Sequence, residues 1–322
     1  MLGKGVGVRF EVGARPAAVR LRPEVTMYSG GSDGGAAVQA KKVTVPELQG
    51  RKRGGPPLAM VTAYDFTMAR LVDEAGVDLI LVGDSLGMVV QGLSNTLPVT
   101  LDEMCYHGRA VARAVRRAHL VGDLPFMSYQ LSAAQALESA GRFLKEGAFE
   151  SVKLEGGEEV AEHVRRIVRA GIPVMGHVGL TPQSVHAFGG FKMQGRGEDD
   201  ATTIIAGARA IEEAGAYAIV LEAIPPDVAE RVTAAVEVPT IGIGAGSACD
   251  GQVLVCTDLL GMARDHAPHF VKRYAALGDA IVDAVRRYVG EVQSGEFPGP
   301  EHAYKPNRPG LRVARGPGSG EA

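Results

Sequence analysis

Ionisable side chains stand at the ends of several short apolar runs in this chain. The letters LVGD occur twice, and each time the run ends in a carboxylate, Asp84 in the first and Asp123 in the second. The run SVKLE contains Lys153 and ends in Glu155, and the run AIVLE ends in Glu222. A carboxylate that directly follows a hydrophobic run is partly desolvated, so it requires a cation or hydrogen-bond donors as partners. These residues are therefore the first candidates for a functional site.

Three of these acids could bind a metal ion. Asp84, Asp123 and Glu155 offer only oxygen ligands, and neither a His-x₃-His pair nor a pair of cysteines stands near them. Oxygen ligands favour Mg²⁺ or Mn²⁺ over Zn²⁺, and Mg²⁺ leaves coordination positions for the oxygens of a substrate. Lys153 lies two residues before Glu155, so on a strand both side chains point to the same face. The lysine would screen the carboxylates or bind a substrate carboxylate; the alternative is a structural ion pair with Glu155.

Glu222 and His177 are candidates for proton transfer. Glu222 ends an apolar run with no basic residue near it in the sequence. A carboxylate in such surroundings tends towards a raised pKa, which suits general acid–base catalysis. The alternative is a buried acid that caps the following helix. His177 lies inside an apolar run between Gly176 and Val178, where a structural histidine and a catalytic one are equally compatible with the sequence.

Eight short apolar runs alternate with helical patterns, and five successive runs carry the candidate residues. The runs are residues 58–64, 77–84, 119–123, 151–155, 172–179, 216–222, 238–245 and 252–260. Strands without polar alternation are buried on both faces, as in parallel sheets covered by helices. Eight of them in about 250 residues fit one (β/α)8 TIM barrel, with a doubly wound open sheet as the alternative. Catalytic groups of such barrels collect at the carboxyl ends of the strands, where these runs place theirs.

Four further segments complete the predicted layout. A helix at 44–53 would close the bottom of the barrel, and a helical pattern at 270–292 would end it. The segment GSACDG between the last two strands is too short for a helix, so this connection is the weak point of the barrel prediction. The glycine-rich segment 188–197 is too long for a simple turn and indicates a lid or binding loop, with a plain connector as the alternative.

Composition argues against several other classes of function. A net charge of −3, a pI of about 6.3 and the absence of tryptophan argue against nucleic acid as a partner. No window of 18 uninterrupted apolar residues occurs, which argues against a membrane span. Three widely spaced cysteines, Cys105, Cys249 and Cys256, indicate reduced thiols in a cytoplasmic protein.

The two ends of the chain differ from its middle. Residues 1–41 are rich in Gly, Arg and Ala, lack periodicity and contain no apolar segment typical of a secretory signal, so we predict a disordered N-terminal extension. Residues 307–322 are rich in Gly and Pro and predict a flexible tail. Residues 42–306 are then predicted to be a single catalytic barrel domain.

A set of motifs in a fixed order resembles the ketopantoate hydroxymethyltransferase family. The resemblance covers residues 42–304 and includes LVGDSLGMVVQG, DLPFMSY, VKLEGG, GHVGLTPQSV, FGGFKMQGRG and VLEAIP. It implies a (β/α)8 barrel of the phosphoenolpyruvate/pyruvate superfamily and dependence on Mg²⁺. It also implies transfer of a one-carbon unit from 5,10-methylenetetrahydrofolate to the keto acid 3-methyl-2-oxobutanoate, and a homo-oligomer, typically a decamer of two pentameric rings.

The resemblance also implies roles for individual residues. The positions that match the metal-binding acids of the family are Asp84, Asp123 and Glu155. The positions that match its keto-acid-binding residues are Asp84, Ser85, Asp123 and Lys153, with His177 near the substrate oxygens. Glu222 matches the family's proton acceptor.

Together these features suggest a reaction mechanism. We expect Mg²⁺ to bind the carboxylate and 2-oxo oxygens of the keto acid and to stabilise the enolate that forms when C3 loses its proton. Glu222 is the candidate base, with a role in protonating or orienting the folate as the alternative. The folate would lie over the rim, near residues 188–197. Two alternatives remain open: a related Mg²⁺-dependent carbon–carbon lyase or phosphonate-forming mutase without folate dependence, and a non-catalytic keto-acid-binding barrel or assembly subunit.

Overall fold

The computed structural model describes residues 41–264 and 268–304. The predicted extension at 1–41 and the predicted tail at 307–322 lie outside the described residues, apart from Lys41, and stay predictions. Among the helices that the structure describes, none combines the length and the apolar character needed to cross a membrane.

Eight parallel strands form a closed barrel in which each strand pairs with the next one along the chain and the last pairs with the first. The strands are β1 (Leu58–Thr62), β2 (Leu79–Val82), β3 (His119–Asp123), β4 (Ser151–Glu155), β5 (Val174–Gly179), β6 (Ala218–Glu222), β7 (Thr240–Ile243) and β8 (Gly251–Leu254). The pairing of β8 with β1 confirms the (β/α)8 barrel and excludes the doubly wound open sheet, because an open sheet leaves two edge strands.

Helices follow most of the strands and cover the outside of the barrel. Those described are α1 (Val45–Gly50), α2 (Phe66–Glu74), α3 (Leu86–Val89), α4 (Leu101–Ala112), α5 (Ala133–Arg142), α6 (Ala161–Arg169), α7 (Val185–Phe188), α8 (Glu198–Glu213), α9 (Pro226–Ala235), α10 (Cys256–Leu259) and α11 (Leu277–Ser294). The predicted lack of a helix between β7 and β8 is confirmed, while the last predicted run extends beyond β8 into α10.

Short polar residues set the start of several helices. Asp65 accepts a hydrogen bond from the backbone N–H of Met68 at the start of α2, and Ser132 caps α5 in the same way. Thr100 and Glu103 form a reciprocal capping box at the start of α4. An N-cap side chain satisfies a backbone donor that the helix cannot, so these residues fix where each loop at the carboxyl end of a strand becomes a helix.

Buried apolar side chains form two layers, one on each side of the strands. The outer layer joins strands to helices, as where Leu120 of β3 and Phe143 at the end of α5 belong to one cluster. The inner layer fills the barrel and contains Leu58 and Leu79. Leu48 of α1 belongs to this inner layer, so α1 closes the end of the barrel at which the strands begin, as predicted for residues 44–53.

The C-terminal helix begins later than its sequence pattern predicted. The pattern at 270–292 indicated one helix, but α11 begins only at Leu277. The backbone N–H groups of Tyr274 and Leu277 donate to the carbonyls of Leu259 and Leu260. The segment before α11 is therefore tied to the end of α10 and cannot form helical hydrogen bonds.

One face of α11 carries large apolar side chains that are exposed. They are Leu277, Ile281, Val285, Tyr288, Val289 and Val292. Their spacing of three or four residues places most of them on one side of the helix, which is typical of a helix that packs against another surface.

Replacing Gly108 by alanine should destabilise the barrel. A Cβ atom at this position of α4 would lie 2.4 Å from the Phe149 ring and 2.7 Å from the Gly147 carbonyl oxygen. Overpacking of this kind costs about 1–3 kcal/mol. The matched control is Gly141→Ala in α5, where a Cβ atom meets nothing within 4 Å and alanine should be neutral or stabilising by up to about 1 kcal/mol. Urea unfolding measures both, and equal free energies of unfolding would contradict the described packing.

Candidate active site

All seven residues predicted for the site line one cavity of about 710 Å³ at the carboxyl ends of the strands. They are Asp84, Ser85, Asp123, Lys153, Glu155, His177 and Glu222. Parallel register brings neighbours together, since Asp123 is paired with Lys153 and Glu155 with His177. The structure therefore unites side chains from five successive strands, as their positions in the sequence predicted.

Three of these acids are buried next to one another. The backbone nitrogen of Asp84 lies 3.4 Å from Asp123 Oδ2. Burial raises the pKa of the Asp84 carboxyl well above its ordinary value, and the charges of Asp123 and Glu155 raise it further. Burial likewise raises the pKa of Asp123, although the charge of Lys153 opposes it. Negative charge is thus held here at a cost in free energy.

Lys153 balances part of this negative charge. Its Nζ lies 2.6 Å from Asp123 Oδ1, so its nearest partner is Asp123 and not Glu155, the partner in the alternative considered from sequence. Burial lowers the pKa of Lys153, but the charges of Asp123, Glu155 and Asp84 outweigh it and raise the pKa above its ordinary value. A carboxylate oxygen has two lone pairs, so Asp123 Oδ1 keeps one for a further cation beside this ion pair.

His177 links two carboxylates. Its Nε2 lies 3.2 Å from Glu222 Oε2, and its Nδ1 lies 3.5 Å from Glu155 Oε1. Burial and the charge of Lys153 lower the pKa of His177, but the two carboxylates outweigh them and raise it to about 9. The imidazole is therefore protonated at neutral pH, and its contact of 3.3 Å with Lys153 Nζ is a hydrogen bond only when Nδ1 lacks a proton. These contacts fit a structural histidine as well as a catalytic one, so the role of His177 stays a prediction.

Glu222 has a basic neighbour that its sequence surroundings did not reveal. The interpretation from sequence placed it in purely apolar company, but His177 reaches it from the adjacent strand. Sequence distance cannot show this contact, because the two residues lie on different strands. Glu222 is also the least buried acid of the site, which leaves its carboxylate accessible from the cavity.

Ser85 is held by a tyrosine that sequence analysis missed. The Ser85 hydroxyl lies 2.9 Å from the Tyr64 hydroxyl, and the Tyr64 carbonyl oxygen lies 2.6 Å from His107 Nδ1. Burial raises the pKa of Tyr64, so its hydroxyl stays neutral. A tyrosine after an apolar run has no chemical signature of its own, so its position after β1 was the only available signal.

Gln183 is a second residue that sequence analysis missed. Its side chain donates to Asp84 Oδ2 and its backbone N–H donates to Glu155 Oε2, each over 3.0 Å. It lies in the 3₁₀ turn Pro182–Ser184 after β5, within the motif GHVGLTPQSV. A neutral amide does not contribute to a pattern of charges, and only its place beyond a strand end could have pointed to it.

The glycine-rich segment 188–197 lies beside the site. Phe191 lines the cavity, and the Gln194 N–H donates to the carbonyl of Ala223, which directly follows Glu222, over 3.0 Å. These contacts favour the binding loop over a plain connector.

The acids are of the chemical type that binds a divalent cation, but their side chains do not form a complete set of metal ligands. Within residues 41–264 and 268–304, no three His, Cys, Asp or Glu side chains are close enough to form a full set of metal ligands. Carboxylate oxygens are nevertheless the ligands that Mg²⁺ prefers, and Mg²⁺ often takes only one or two carboxylates and several waters. Burial raises the pKa values of Asp84 and Asp123 first, and the charge of Glu155 raises both further, so a bound cation would relieve an unfavourable negative charge.

Comparison with known sequences identifies a family over most of the chain. The family model described as ketopantoate hydroxymethyltransferase matches residues 42–300. A protein of Syntrophotalea carbinolica is 53% identical over 82% of this chain and 99% of its own length. A protein of Moorella thermoacetica is 56% identical over 83% of this chain and 99% of its own length. Both relatives are named 3-methyl-2-oxobutanoate hydroxymethyltransferase.

Comparison with solved structures supports the fold. A complex of phosphonopyruvate hydrolase with oxalate and Mg²⁺ is 16% identical and has a TM-score of 0.52, covering 80% of this chain and 92% of that one. A 2,3-dimethylmalate lyase of the PEP mutase/isocitrate lyase superfamily is 17% identical with a TM-score of 0.52, covering 81% of this chain and 88% of that one. At this identity the likeness shows a shared barrel architecture.

Replacing Asp84 by asparagine should stabilise the metal-free protein near neutral pH. A raised pKa means that the folded protein disfavours the charged form of Asp84. The contribution of the protonated carboxyl to the free energy of unfolding is therefore present at low pH and is lost as the pH rises through the folded-state pKa. Asparagine keeps an acceptor for Gln183 without the charge. We expect a gain of at least about 1 kcal/mol, since one pKa unit corresponds to about 1.4 kcal/mol.

Urea unfolding in the presence of EDTA, repeated at several pH values, measures this gain. It should shrink below about pH 4, where Asp84 is protonated in the folded and the unfolded protein. Glu213→Gln at an exposed position of α8 is the control, and its effect should stay within about 0.5 kcal/mol. Equal free energies of unfolding for the wild type and the Asp84 variant at pH 8 would contradict an unfavourable charge at Asp84.

Proposed function

Because the chain belongs to the ketopantoate hydroxymethyltransferase family, we propose that it converts 5,10-methylenetetrahydrofolate, 3-methyl-2-oxobutanoate and water to tetrahydrofolate and 2-dehydropantoate. This product, ketopantoate, is an intermediate of pantothenate biosynthesis. The observation that carries the proposal is one cavity in which three buried acids, two buried cations and the more exposed Glu222 meet. The names of the curated relatives support the keto acid and the transferred group.

Asp84, Asp123 and Glu155 are the residues that would hold Mg²⁺. Their support is their common burial in one cavity and the raised pKa of Asp84, which follows from desolvation and from the charges of Asp123 and Glu155. The bound ion would supply a Lewis acid that polarises the 2-oxo group of the keto acid.

Lys153 and His177 would bind the oxygens of the keto acid. Both are buried and positively charged, and charge interactions in such a site are stronger than in water. Ser85, oriented by the Tyr64 hydroxyl, adds a neutral donor at the same cavity wall. The keto acid, an anion, would thus lie against two cations and one hydroxyl.

Glu222 would remove the proton from C3. As the C–H bond breaks, its electron pair moves onto the 2-oxo oxygen, where Lys153 and His177 balance the developing negative charge. As C3 bonds to the one-carbon unit of the folate, held as an iminium, the electron pair of its C=N bond moves onto the folate nitrogen. The remaining C–N bond then breaks, tetrahydrofolate leaves with a proton on that nitrogen, and the hydroxyl group of water takes its place on the transferred carbon. The contact between Glu222 Oε2 and His177 Nε2 supports this role, because it fixes the carboxylate at the cavity wall.

The folate would bind at the outer part of the cavity, whose wall is apolar. Large apolar side chains line it there, and each is more than a third exposed: Met88, Val89, Leu93, Phe191 and Phe270. An aromatic ring system such as a pterin would cover this surface. This placement agrees with the expectation that the segment 188–197 contributes to folate binding, since Phe191 belongs to it.

Proton exchange at C3 of 3-methyl-2-oxobutanoate in D₂O, followed by NMR with and without Mg²⁺, tests the proposed function. Wild-type protein should exchange the proton without folate, and Glu222→Gln should lower the rate at least about 100-fold while keto-acid binding stays nearly unchanged. The control is Glu237→Gln, an exposed acid before β7 at the opposite end of the barrel. Unchanged exchange in the Glu222 variant would remove it as the base.

Folate dependence separates the transferase from the two alternatives. Product formation by the proposed enzyme requires methylenetetrahydrofolate in addition to the keto acid. A carbon–carbon lyase or mutase with a similar barrel would turn over its own substrate without folate, and a non-catalytic keto-acid-binding barrel would show no C3 exchange.

Assembly and compartment are part of the proposal. A homo-oligomer, as expected from the resemblance to a family of decamers, is supported by the exposed apolar face of α11, which a second copy of the chain would cover. A cytoplasmic location is supported by Cys105, Cys249 and Cys256, which are buried and form no disulfide.

Placing a charge on the apolar face of α11 should weaken the oligomer. Val285→Glu would put a carboxylate at the centre of that face, and burying it without a partner is costly. Sedimentation velocity at several concentrations should show smaller species for this variant than for the wild type. The control is Arg287→Glu on the opposite side of the helix, and a wild type that sediments as a monomer would contradict the proposed assembly.

A further inference from the structure

Both the NH₂ group and the carbonyl oxygen of the Gln183 side chain have hydrogen-bond partners. Its Nε2 donates to Asp84 Oδ2 over 3.0 Å and to the Leu124 carbonyl oxygen over 2.9 Å. Its Oε1 lies 2.9 Å from both the Tyr129 hydroxyl and Gln130 Nε2, which can donate to it. A primary amide has two donors and two acceptor positions, so these surroundings match glutamine and fix which end faces Asp84.

The backbone of Gln183 extends the contact to a second acid. Its N–H donates to Glu155 Oε2 over 3.0 Å. The Tyr129 hydroxyl accepts from the Glu155 N–H over 3.1 Å, and its single hydrogen serves either the Glu155 carbonyl oxygen or Gln183 Oε1 at one time. One residue after β5 thereby binds carboxylates that come from β4 and from the loop after β2.

Gln183 is also absent from the lining of the proposed substrate cavity. Asp84 and Glu155 line the proposed substrate cavity, whereas Gln183 lines a neighbouring cavity of about 450 Å³ that shares only Glu155 with the first among the acids of the site. Each contact with Gln183 occupies one carboxylate oxygen and leaves the other free of it. The residue therefore restricts the rotation of both carboxylates without entering the reaction space.

We propose that Gln183 is a positioning residue that sets the distance and orientation of Asp84 and Glu155 for a divalent cation, an inference that rests on the proposed function. A neutral amide is suited to this task, because a lysine or arginine in its place would hold the acids equally well but would repel the incoming cation. Residues behind metal ligands commonly orient them in this way.

Binding of Mn²⁺ to the metal-free, full-length protein without keto acid tests the inference, with EPR of the free ion as the measurement. Gln183→Met removes all four side-chain hydrogen bonds at similar volume and should weaken Mn²⁺ binding by about 10- to 100-fold. Gln183→Asn keeps a polar amide but is one methylene too short to reach both Asp84 and Tyr129, and it should weaken binding by about 10-fold.

The control is Gln130→Met, which removes the hydrogen bond to Gln183 Oε1, on the side of the amide that faces away from Asp84, and the 3.4 Å hydrogen bond that the Gln130 side chain accepts from the Tyr129 N–H. It should bind Mn²⁺ within about threefold of the wild type, because it leaves the contacts to both acids intact. Urea unfolding reports whether each variant is folded. Wild-type-like Mn²⁺ binding by the folded Gln183 variants, an equal loss in the Gln130 variant, or failure of both Gln183 variants to fold would each overturn the inference. A wild type that binds no Mn²⁺ would instead refute the proposed metal site itself, and this inference with it.

Discussion

The structure depends on holding several carboxylates together at one end of a closed barrel, away from most of the water. Asp84, Asp123 and Glu155 repel one another and lose hydration, and the raised pKa values of the two aspartates express this cost. The packed interior and the continuous strand pairing supply the stability that offsets it. Clusters of charged groups with shifted pKa values are common at functional sites that bind a charged ligand.

The acids of the site have three kinds of partner. Asp123 pairs with a buried lysine, Glu155 and Glu222 share a protonated histidine, and Asp84 receives a neutral amide. Among the residues that the structure describes, Lys153 is thus the one cation that forms an ion pair with Asp84 or Asp123, so negative charge remains there, whereas Glu222 is paired with His177 and is accessible from the cavity. The same cluster therefore contains a region suited to a cation and a separate carboxylate suited to proton transfer, two roles that need different surroundings.

Sequence reasoning predicted the architecture and the charged residues of the site, because both leave strong local patterns. Most strands are short and mainly apolar, and Asp84, Asp123 and Glu222 each stand at or just after the end of such a run, so the sequence alone placed these acids at one rim. The roles assigned to these residues remain predictions.

What sequence reasoning missed depends on contacts between separate strands and loops. The partner of Lys153 and the histidine beside Glu222 follow from pairing register, which no local pattern contains. Tyr64 and Gln183 are neutral, so they do not appear in a search for charges, although their hydrogen bonds fix Ser85 and Asp84. The late start of α11 has a similar cause, because tertiary backbone contacts replace the helical ones that the periodicity indicated.

Leu48 of α1 packs into the end of the barrel at which the strands begin, and the cavity opens at the other end, where the strands finish. If the keto acid bound in the charged inner part of the cavity and the folate in its apolar outer part, neither ligand could pass the other. The proposed arrangement would then require the keto acid to enter before the folate, and tetrahydrofolate to leave before the new oxo acid. The steady-state rate law of such an enzyme would be ordered and sequential.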